Sequence, residues 1–190
     1  VQPDDQQGLQ DLLARVRDGD LHGLNVTIPH KQNVIEFMDE LTPTAQAIGA
    51  VNIIYMKNDA LIGDNTDAPG FLSDLNRFLS ETQSKLVNRK SAIVLGAGGS
   101  ARAVVYALLN DGWNVTLAAR RLEQAQQLAA AFTNYRLPIT NLPTFDLRPS
   151  TFDLIVNTTP LGMSPNIDRS PLPENVMLPP DGIVYDLVYN

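Results

Sequence analysis

A two-domain α/β fold is predicted by three features of this 190-residue sequence. From Ser91 onward, short apolar runs alternate with segments whose apolar residues recur at helical spacing, which is typical of a parallel sheet covered by helices. The run 92–95 leads into a glycine-rich turn and then into a helix. Residues 81–90 are polar and aperiodic, so we predict a boundary there, with domains over 1–83 and 84–190.

Periodicity and turn residues predict the elements within each domain. In the first domain they are a helix over 7–17, a strand over 23–28, a helix from Pro29, a short helix from Thr42-Pro43 to Gly49, strands over 51–56 and 60–62, and a helix carrying Phe71 and Leu75. In the second they are strands over 92–95, 114–119, 152–157 and 183–188, with helices over 100–110 and 122–132. The proline-rich stretch 160–180 is expected to be loop.

The composition excludes several classes of protein. The formal net charge is −7 and no basic run occurs, which argues against nucleic-acid binding. The absence of cysteine excludes disulfides, Cys-ligated zinc and thiol catalysis. The two histidines, His22 and His30, lack metal-ligand spacing, so no metal is expected. No stretch approaches the roughly 18 apolar residues of a membrane span, and a cytoplasmic location is expected.

The glycine-rich turn has the features of a phosphate-binding loop. Gly96 allows a tight turn, Gly98 lets a pyrophosphate approach the backbone, and Ala101 fills the small third position of the pattern. The first N–H groups of the next helix would face the phosphates. The alternative is a plain glycine-rich turn. The predicted cofactor-binding residues here are Gly96, Ala97, Gly98, Gly99 and Ser100.

Two arginines favour NADP over NAD as the cofactor. A dinucleotide site usually has an acidic residue at the end of its second strand, where it holds the ribose 2′-OH. Here that strand ends in Ala119-Arg120-Arg121 instead. A guanidinium matches a 2′-phosphate, whereas a cation at a helix start is unfavourable for the helix dipole. The alternative is a solvated pair, but we predict that Arg120 and Arg121 bind the 2′-phosphate.

Six stretches of the sequence resemble, in order, the motifs of shikimate dehydrogenases. They are Asn25-Val26-Thr27-Ile28-Pro29-His30-Lys31, Gly49-Ala50-Val51-Asn52, 63–70, the glycine-rich turn, 157–163 and 185–190. The resemblance implies a Rossmann-type NADP-binding domain over 84–190. It also implies a smaller, incomplete α/β substrate-binding catalytic domain over 1–83. Relative to the family, the N-terminal strand and C-terminal helices are missing, so we expect weak activity or none from these 190 residues.

The resemblance also implies an activity and the residues that carry it. The expected reaction is the reversible NADPH-dependent reduction of 3-dehydroshikimate to shikimate, in aromatic amino-acid (chorismate) biosynthesis, by a monomer or homodimer. The alternatives are a quinate/shikimate dehydrogenase of broader specificity and a non-catalytic NADP-binding relative. The implied catalytic residues are Lys31 and Asp67. Other implied substrate-binding residues are Thr27, Asn52 and Tyr189, and other implied cofactor-binding residues are Thr159 and Leu187.

Overall fold

The structure is a computed structural model that describes residues 6–82, 90–142, 152–164, 167–172 and 182–188. The chain folds as two compact units, Val1–Asp67 and Ala68–Asn190. The junction predicted between residues 83 and 84 lies outside the described residues, so that boundary stays a prediction. Among the described residues, no helix is both long enough and apolar enough to cross a membrane.

The first unit is a four-stranded sheet packed against helix α1 (Gln6–Arg17). Its strands are β1 (Gly23–Asn25), β2 (Glu40–Leu41), β3 (Ile53–Lys57) and β4 (Ala60–Asp64), in the order β1-β3-β4-β2. Strand β3 pairs antiparallel with β1 and β4, whereas β2 pairs parallel with β4. The core of this unit is formed by apolar side chains of α1 and the sheet, including Leu9, Leu13, Val16, Ile54 and Leu61.

The predicted short helix from Thr42-Pro43 to Gly49 is confirmed, and the structure shows which residues form its ends and the next turn. Helix α2 (Pro43–Ile48) begins where the Thr42 hydroxyl accepts a hydrogen bond from the Ala45 amide at 3.2 Å. It ends at Gly49, whose φ of 68° lies in the left-handed region that glycine adopts without strain. Asn58 and Asp59 also have positive φ, and they form the two-residue turn of the β3–β4 hairpin.

The helix predicted from Pro29 is wrong in both type and starting point. The chain turns over residues 29–32 and then forms a 3-10 helix at Asn33–Phe37. The His30 amide donates to the Thr27 carbonyl, a three-residue spacing that belongs to a turn. The strand predicted over 23–28 also ends early, at Asn25, because β1 pairs with β3 only through that residue.

The second unit is a Rossmann-type sheet of five parallel strands, which confirms the predicted α/β fold. Its elements are α3 (Asp67–Glu81), β5 (Ser91–Leu95), α4 (Gly99–Asn110), β6 (Asn114–Ala119), α5 (Leu122–Ala130), β7 (Ile139–Asn141), β8 (Leu154–Asn157) and β9 (Ile183–Asp186). The strand order is β7-β6-β5-β8-β9, with β5 central and buried from Ala92 to Leu95. Strand β7 was not predicted, so the strand predicted over 152–157 is the fourth of this sheet.

Tyr185, an aromatic residue of strand β9, contacts helix α3 at two residues. The Tyr185 ring packs edge-on against Phe71, with ring centroids 4.9 Å apart. Its hydroxyl donates a 2.8 Å hydrogen bond to Asp74, which also pairs with Arg77. Burial and the Asp74 carboxylate raise the pKa of Tyr185 from 10.0 to about 12. The phenol is therefore favoured over the phenolate in the folded chain.

Tyr185→Phe is expected to lower the free energy of unfolding at neutral pH by about 1 kcal/mol, the usual net contribution of one hydrogen bond. Because the pKa of Tyr185 is higher in the folded chain, the protonated phenol contributes to the free energy of unfolding fully below pH 10.0. That contribution is lost as the pH rises to about 12. Stability of the natural chain should fall in that alkaline window, and Tyr185→Phe should remove this step. Urea unfolding across pH would measure it, with Tyr135→Phe, which removes the 2.9 Å hydrogen bond of a more exposed tyrosine to Asn110, as control. An unchanged alkaline step would contradict the assignment.

Candidate active site

Three polar side chains meet at one end of the first sheet. The Lys31 ammonium lies 2.7 Å from Asp67 Oδ2, and the Asn52 amide donates to Asp67 Oδ1 at 2.7 Å. The Lys31 side chain is 12% exposed and that of Asp67 is 27% exposed. Both carboxylate oxygens are thus bonded while the pair still reaches solvent. An ion pair of this burial is ordered by its surroundings and remains open to a small molecule.

Backbone hydrogen bonds between distant segments hold this cluster together. The Lys31 carbonyl accepts from the Val51 amide at 2.7 Å, so the turn before the 3-10 helix is tied to the residue before Asn52. The backbone N–H of Asn52 donates to the Asp64 carbonyl at 3.0 Å, and the backbone carbonyl of Asn52 accepts from the Val26 N–H at 2.7 Å. The sequence-predicted residues Lys31, Asn52 and Asp67 are therefore brought together by the pairing of β1, β3 and β4.

Asn65 is a positioning residue of this cluster that the sequence did not single out. It is 1% exposed; its side-chain amide donates to the Ala50 carbonyl at 3.0 Å. Its Oδ1 accepts from the Asp67 amide at 3.1 Å, which caps the start of α3. Asp67 is the first residue of that helix, where the dipole favours a negative charge. The signal was present, since 64–67 reads as a run of capping residues.

The other predicted substrate-binding residues are less constrained. Thr27 is exposed in the turn four residues before Lys31, and its carbonyl accepts from His30 at 2.9 Å. Tyr189 lies outside the described residues. Thr66, next to Asp67, adds a hydroxyl that accepts from the Asn52 amide at 3.1 Å. The cluster thus places an ammonium, a carboxylate, a side-chain amide and hydroxyl groups close together in space. This combination suits a ligand that is rich in hydroxyl groups.

Two glycines of the glycine-rich turn, Gly96 and Gly98, have different roles in the structure. Gly96 has a φ of 113°, and a Cβ there would lie 2.6 Å from Thr158 Oγ1. Gly98 has an ordinary φ of −86° and is exposed, and no heavy atom of the described residues lies within 4 Å of a Cβ placed on it. Gly96 is therefore needed for the fold, whereas the space at Gly98 is open to a ligand.

Helix α4 follows this turn, and the residue before it has no side chain with which to cap the first amides. Gly98 precedes the helix and makes no side-chain capping bond, and the helix continues for 12 residues. Uncapped amides and the positive end of the dipole bind phosphate oxygens. Arg102, in the first turn, adds a fixed positive charge; burial lowers its pKa, but a guanidinium stays protonated in proteins. These residues fit a pyrophosphate group.

All predicted cofactor-binding residues of the second unit lie at one edge of its sheet. The strands are parallel, so their carboxyl ends share an edge. The glycine-rich turn follows β5, the exposed Arg120 and Arg121 follow β6, Thr159 follows β8 and Leu187 follows β9. Strand order reverses beside β5, because β6 lies on one side of it and β8 on the other. Dinucleotides bind across such a reversal, which fits a site for NADP.

Within the described residues, no group of three or more histidine, aspartate or glutamate side chains is arranged to hold a metal ion. The sequence contains no cysteine that could add a ligand.

Two family models match the chain. The shikimate dehydrogenase substrate binding domain matches residues 2–54, and shikimate / quinate 5-dehydrogenase matches residues 79–168. A quinate dehydrogenase from Corynebacterium glutamicum, solved in complex with NAD, is 30% identical with a TM-score of 0.81 and aligns over 100% of this chain and 67% of its own. The chain belongs to the shikimate dehydrogenase family.

Other members of the shikimate dehydrogenase family are similar over nearly the whole chain. The shikimate dehydrogenase (NADP(+)) of Salinibacter ruber is 41% identical over 190 residues, covering 96% of this chain and 65% of the relative. A structure of shikimate 5-dehydrogenase from Thermus thermophilus, in complex with NADP(H) and shikimate, is 36% identical with a TM-score of 0.79. It aligns over 97% of this chain and 64% of its own. The chain thus spans about two thirds of the length of these family members.

The family matches divide the site residues unequally. The substrate-binding model includes Lys31 and Asn52, and the dehydrogenase model includes the glycine-rich turn, Arg120 and Thr159. Asp67 lies in the interval between the two matched ranges. Its place in the site therefore rests on the hydrogen bonds to Lys31 and Asn52 in the structure.

Proposed function

We propose that this chain carries the site of an NADP-dependent shikimate dehydrogenase, which reversibly reduces 3-dehydroshikimate to shikimate in aromatic amino-acid biosynthesis. The observation that carries the proposal is the Lys31–Asp67 ion pair, held at 2.7 Å with the Lys31 side chain 12% exposed. A module that only binds a dinucleotide has no need of such a pair in its other unit. Membership of the shikimate dehydrogenase family supports the same reaction.

Lys31 and Asp67 divide the work at the reacting oxygen. Reduction of a ketone builds negative charge on its oxygen, and a positioned ammonium stabilises that charge and donates the proton. Asp67 Oδ2 fixes the Lys31 ammonium, while Asn52 fixes the other carboxylate oxygen. With its geometry set in this way, Asp67 can also accept a hydrogen bond from a substrate hydroxyl. Asn52, Thr27 and Tyr189 are proposed to bind the remaining hydroxyls of the ring.

NADPH supplies the hydride when it is bound. The residues proposed to hold it are the glycine-rich turn for the pyrophosphate, Arg120 and Arg121 for the 2′-phosphate, and Thr159 and Leu187 at the ends of β8 and β9. Open space at Gly98 and the uncapped start of α4 support the phosphate contact. The exposed guanidiniums, free to form a planar fork, support the choice of NADP over NAD.

Arg120→Ala is expected to weaken NADPH binding by roughly 10- to 100-fold, since a hydrogen bond to a charged group contributes about 1.5–3 kcal/mol. NADH lacks the 2′-phosphate, so its affinity should change little. Titration of both cofactors against the variant measures the difference. Arg136→Ala, which removes another exposed guanidinium, serves as the control. Equal losses for the two cofactors would contradict the assignment.

The reaction itself is tested by reduction of NADP+ in the complete natural chain with shikimate, with quinate and without substrate. Turnover with shikimate supports the proposal, and turnover with neither compound overturns it. A preference for quinate would favour the alternative of broader specificity, which the similarity to the quinate dehydrogenase from Corynebacterium glutamicum keeps in view. That the protein works in the cytoplasm, as a monomer or homodimer, remains a prediction from sequence.

A further inference from the structure

One buried amide links the two loops that follow the last strands of the second sheet. Asn157, the final residue of β8, is 4% exposed. Its Oδ1 accepts from both the amide and the hydroxyl of Thr159, at 2.9 and 2.8 Å. Its Nδ2 donates to Asp186 Oδ1 at 3.0 Å and to the Leu161 carbonyl at 3.4 Å. Every hydrogen-bonding position of this side chain is directed at a loop or at the neighbouring strand end.

The acidic partner performs the same task on the other loop. Asp186 ends β9 and pairs in register with Asn157. Its Oδ1 also accepts from the Val188 amide at 2.9 Å, while the Leu187 amide donates to the Asn157 carbonyl at 3.0 Å. The backbone on both sides of Leu187 is therefore fixed by this pair.

These loops lie on the half of the sheet opposite the arginines. Arg120 and Arg121 follow β6, on one side of β5, whereas Asn157 and Asp186 lie on the other side. Dinucleotides bind across the point at β5 where the strand order reverses. If the adenosine 2′-phosphate lies beside β6, the second nucleotide lies over β8 and β9. Resting on the proposed function, we infer that Asn157 and Asp186 are positioning residues that orient the nicotinamide half of NADP through the Thr159 and Leu187 loops.

Asn157 donates and Asp186 accepts in the hydrogen bond that joins them. Exchanging asparagine for aspartate, or the reverse, changes a donor into an acceptor at nearly constant shape and so tests the inference. Asn157→Asp keeps the acceptor for Thr159 but places a carboxylate oxygen against Asp186 and loses the donor to Leu161. Like charges at this distance disfavour each other and raise the pKa of one carboxyl. Asp186→Asn is milder, because an amide oxygen still accepts from Asn157 and Val188. Combining the two changes restores one donor and one acceptor between residues 157 and 186, but the Nδ2 that then donates to the carboxylate at position 157 replaces the oxygen that accepted from Val188.

The first measurement separates the two halves of the cofactor in the complete natural chain. Asn157→Asp is expected to raise KM for NADP+ and lower kcat, each by about tenfold, because small misplacements of reacting groups have large effects on rate. The affinity for 2′,5′-ADP, which contains only the adenosine half, should change less than about twofold on the same argument. The double variant Asn157→Asp/Asp186→Asn should recover part of the lost kcat, because the bond between residues 157 and 186 returns while those to Leu161 and Val188 stay lost.

A pH profile supplies a readout that loss of stability would not produce. In Asn157→Asp the shared proton returns the donor as pH falls, so activity relative to the natural chain should rise toward acidic pH. Asn114→Asp, an isosteric change at an exposed residue at the amino end of β6, is the matched control. If Asn157→Asp fails to fold, Asp186→Ala is the second variant, with the same expected loss for NADP+ and retention of 2′,5′-ADP.

Three outcomes decide between the inference and the proposed function. Selective loss of NADP+ turnover with rescue by the double variant supports the inference. Behaviour of Asn157→Asp and Asp186→Ala like that of the Asn114→Asp control, or equal loss of 2′,5′-ADP and NADP+, overturns it while the proposed function stands. Failure of the natural chain to bind both 2′,5′-ADP and NADP+ overturns the proposed function, and the inference with it.

Discussion

Lys31→Met is expected to lower kcat for NADP+-linked oxidation of shikimate by about 100-fold or more, the usual contribution of a positioned general acid or base. Methionine keeps the length and the apolar stem of the side chain but removes the ammonium. The partner carboxylate retains its 2.7 Å hydrogen bond from Asn52 and stays 27% exposed, so it is not left as an isolated buried charge. The fold should therefore survive, and the loss should be one of chemistry.

The design of this experiment depends on comparison with other cations. Lys57→Met, on an exposed residue at the end of β3, removes another lysine from the first unit and should leave kcat unchanged. Lys31→Arg should rescue little, because a guanidinium keeps its proton and forms a differently shaped contact. NADPH affinity should be the same in all three variants. A kcat within about threefold of the natural chain would instead fit a solvated lysine with no part in the reaction.

Gly96→Ala and Gly98→Ala are expected to fail for different reasons. At Gly96 a methyl group would meet Thr158 Oγ1 at 2.6 Å, and that hydroxyl is held by its own 2.7 Å bond to the Leu95 carbonyl. The φ of 113° adds backbone strain for any residue with a Cβ. Steric overlap and strain together should lower the free energy of unfolding by about 2–5 kcal/mol.

The Gly98 variant should fold normally and lose the cofactor. Its methyl group enters space that the described residues leave open, at an ordinary φ of −86°. Thermal unfolding should therefore match that of the natural chain, while NADPH affinity falls about tenfold or more as the pyrophosphate is displaced from the backbone. Gly70→Ala, also in open space but within α3, serves as the control. Unchanged NADPH affinity in Gly98→Ala would remove the turn from the cofactor site.

The sequence predicted those helices and strands that are set by local signals, such as capping residues and apolar periodicity. Strand β6 has the predicted bounds, and α2 lies between Thr42 and Gly49, where the short helix was predicted. The two strands that were missed, β2 and β7, are two and three residues long. They carry no alternating pattern and are defined by pairing with β4 and β6, which local sequence does not contain. The prediction from Pro29 failed for the same reason, since pairing to other segments shapes that turn.

The candidate site shows the same division. Motifs placed Lys31, Asn52 and Asp67 in one site, and the structure brings these three together. Asn65 and Asn157 lie in the stretches 63–70 and 157–163 that the resemblance covers, but neither was assigned a role, because the partners of a buried asparagine are known only from the folded chain. The run of capping residues at 64–67 indicated a helix start there, but the backbone groups that Asn65 and Asn157 bond lie near these side chains only in the folded chain.

The backbone bonds of the Lys31 cluster make its integrity measurable without any ligand. The amides of Val26, Val51 and Asn52 are donors in bonds that join segments far apart in sequence. Hydrogen exchange at these amides requires those segments to separate, and their separation would also break the Lys31–Asp67 ion pair. Slow exchange would mean that the reacting groups are ordered before substrate arrives, so that binding need not supply the ordering free energy.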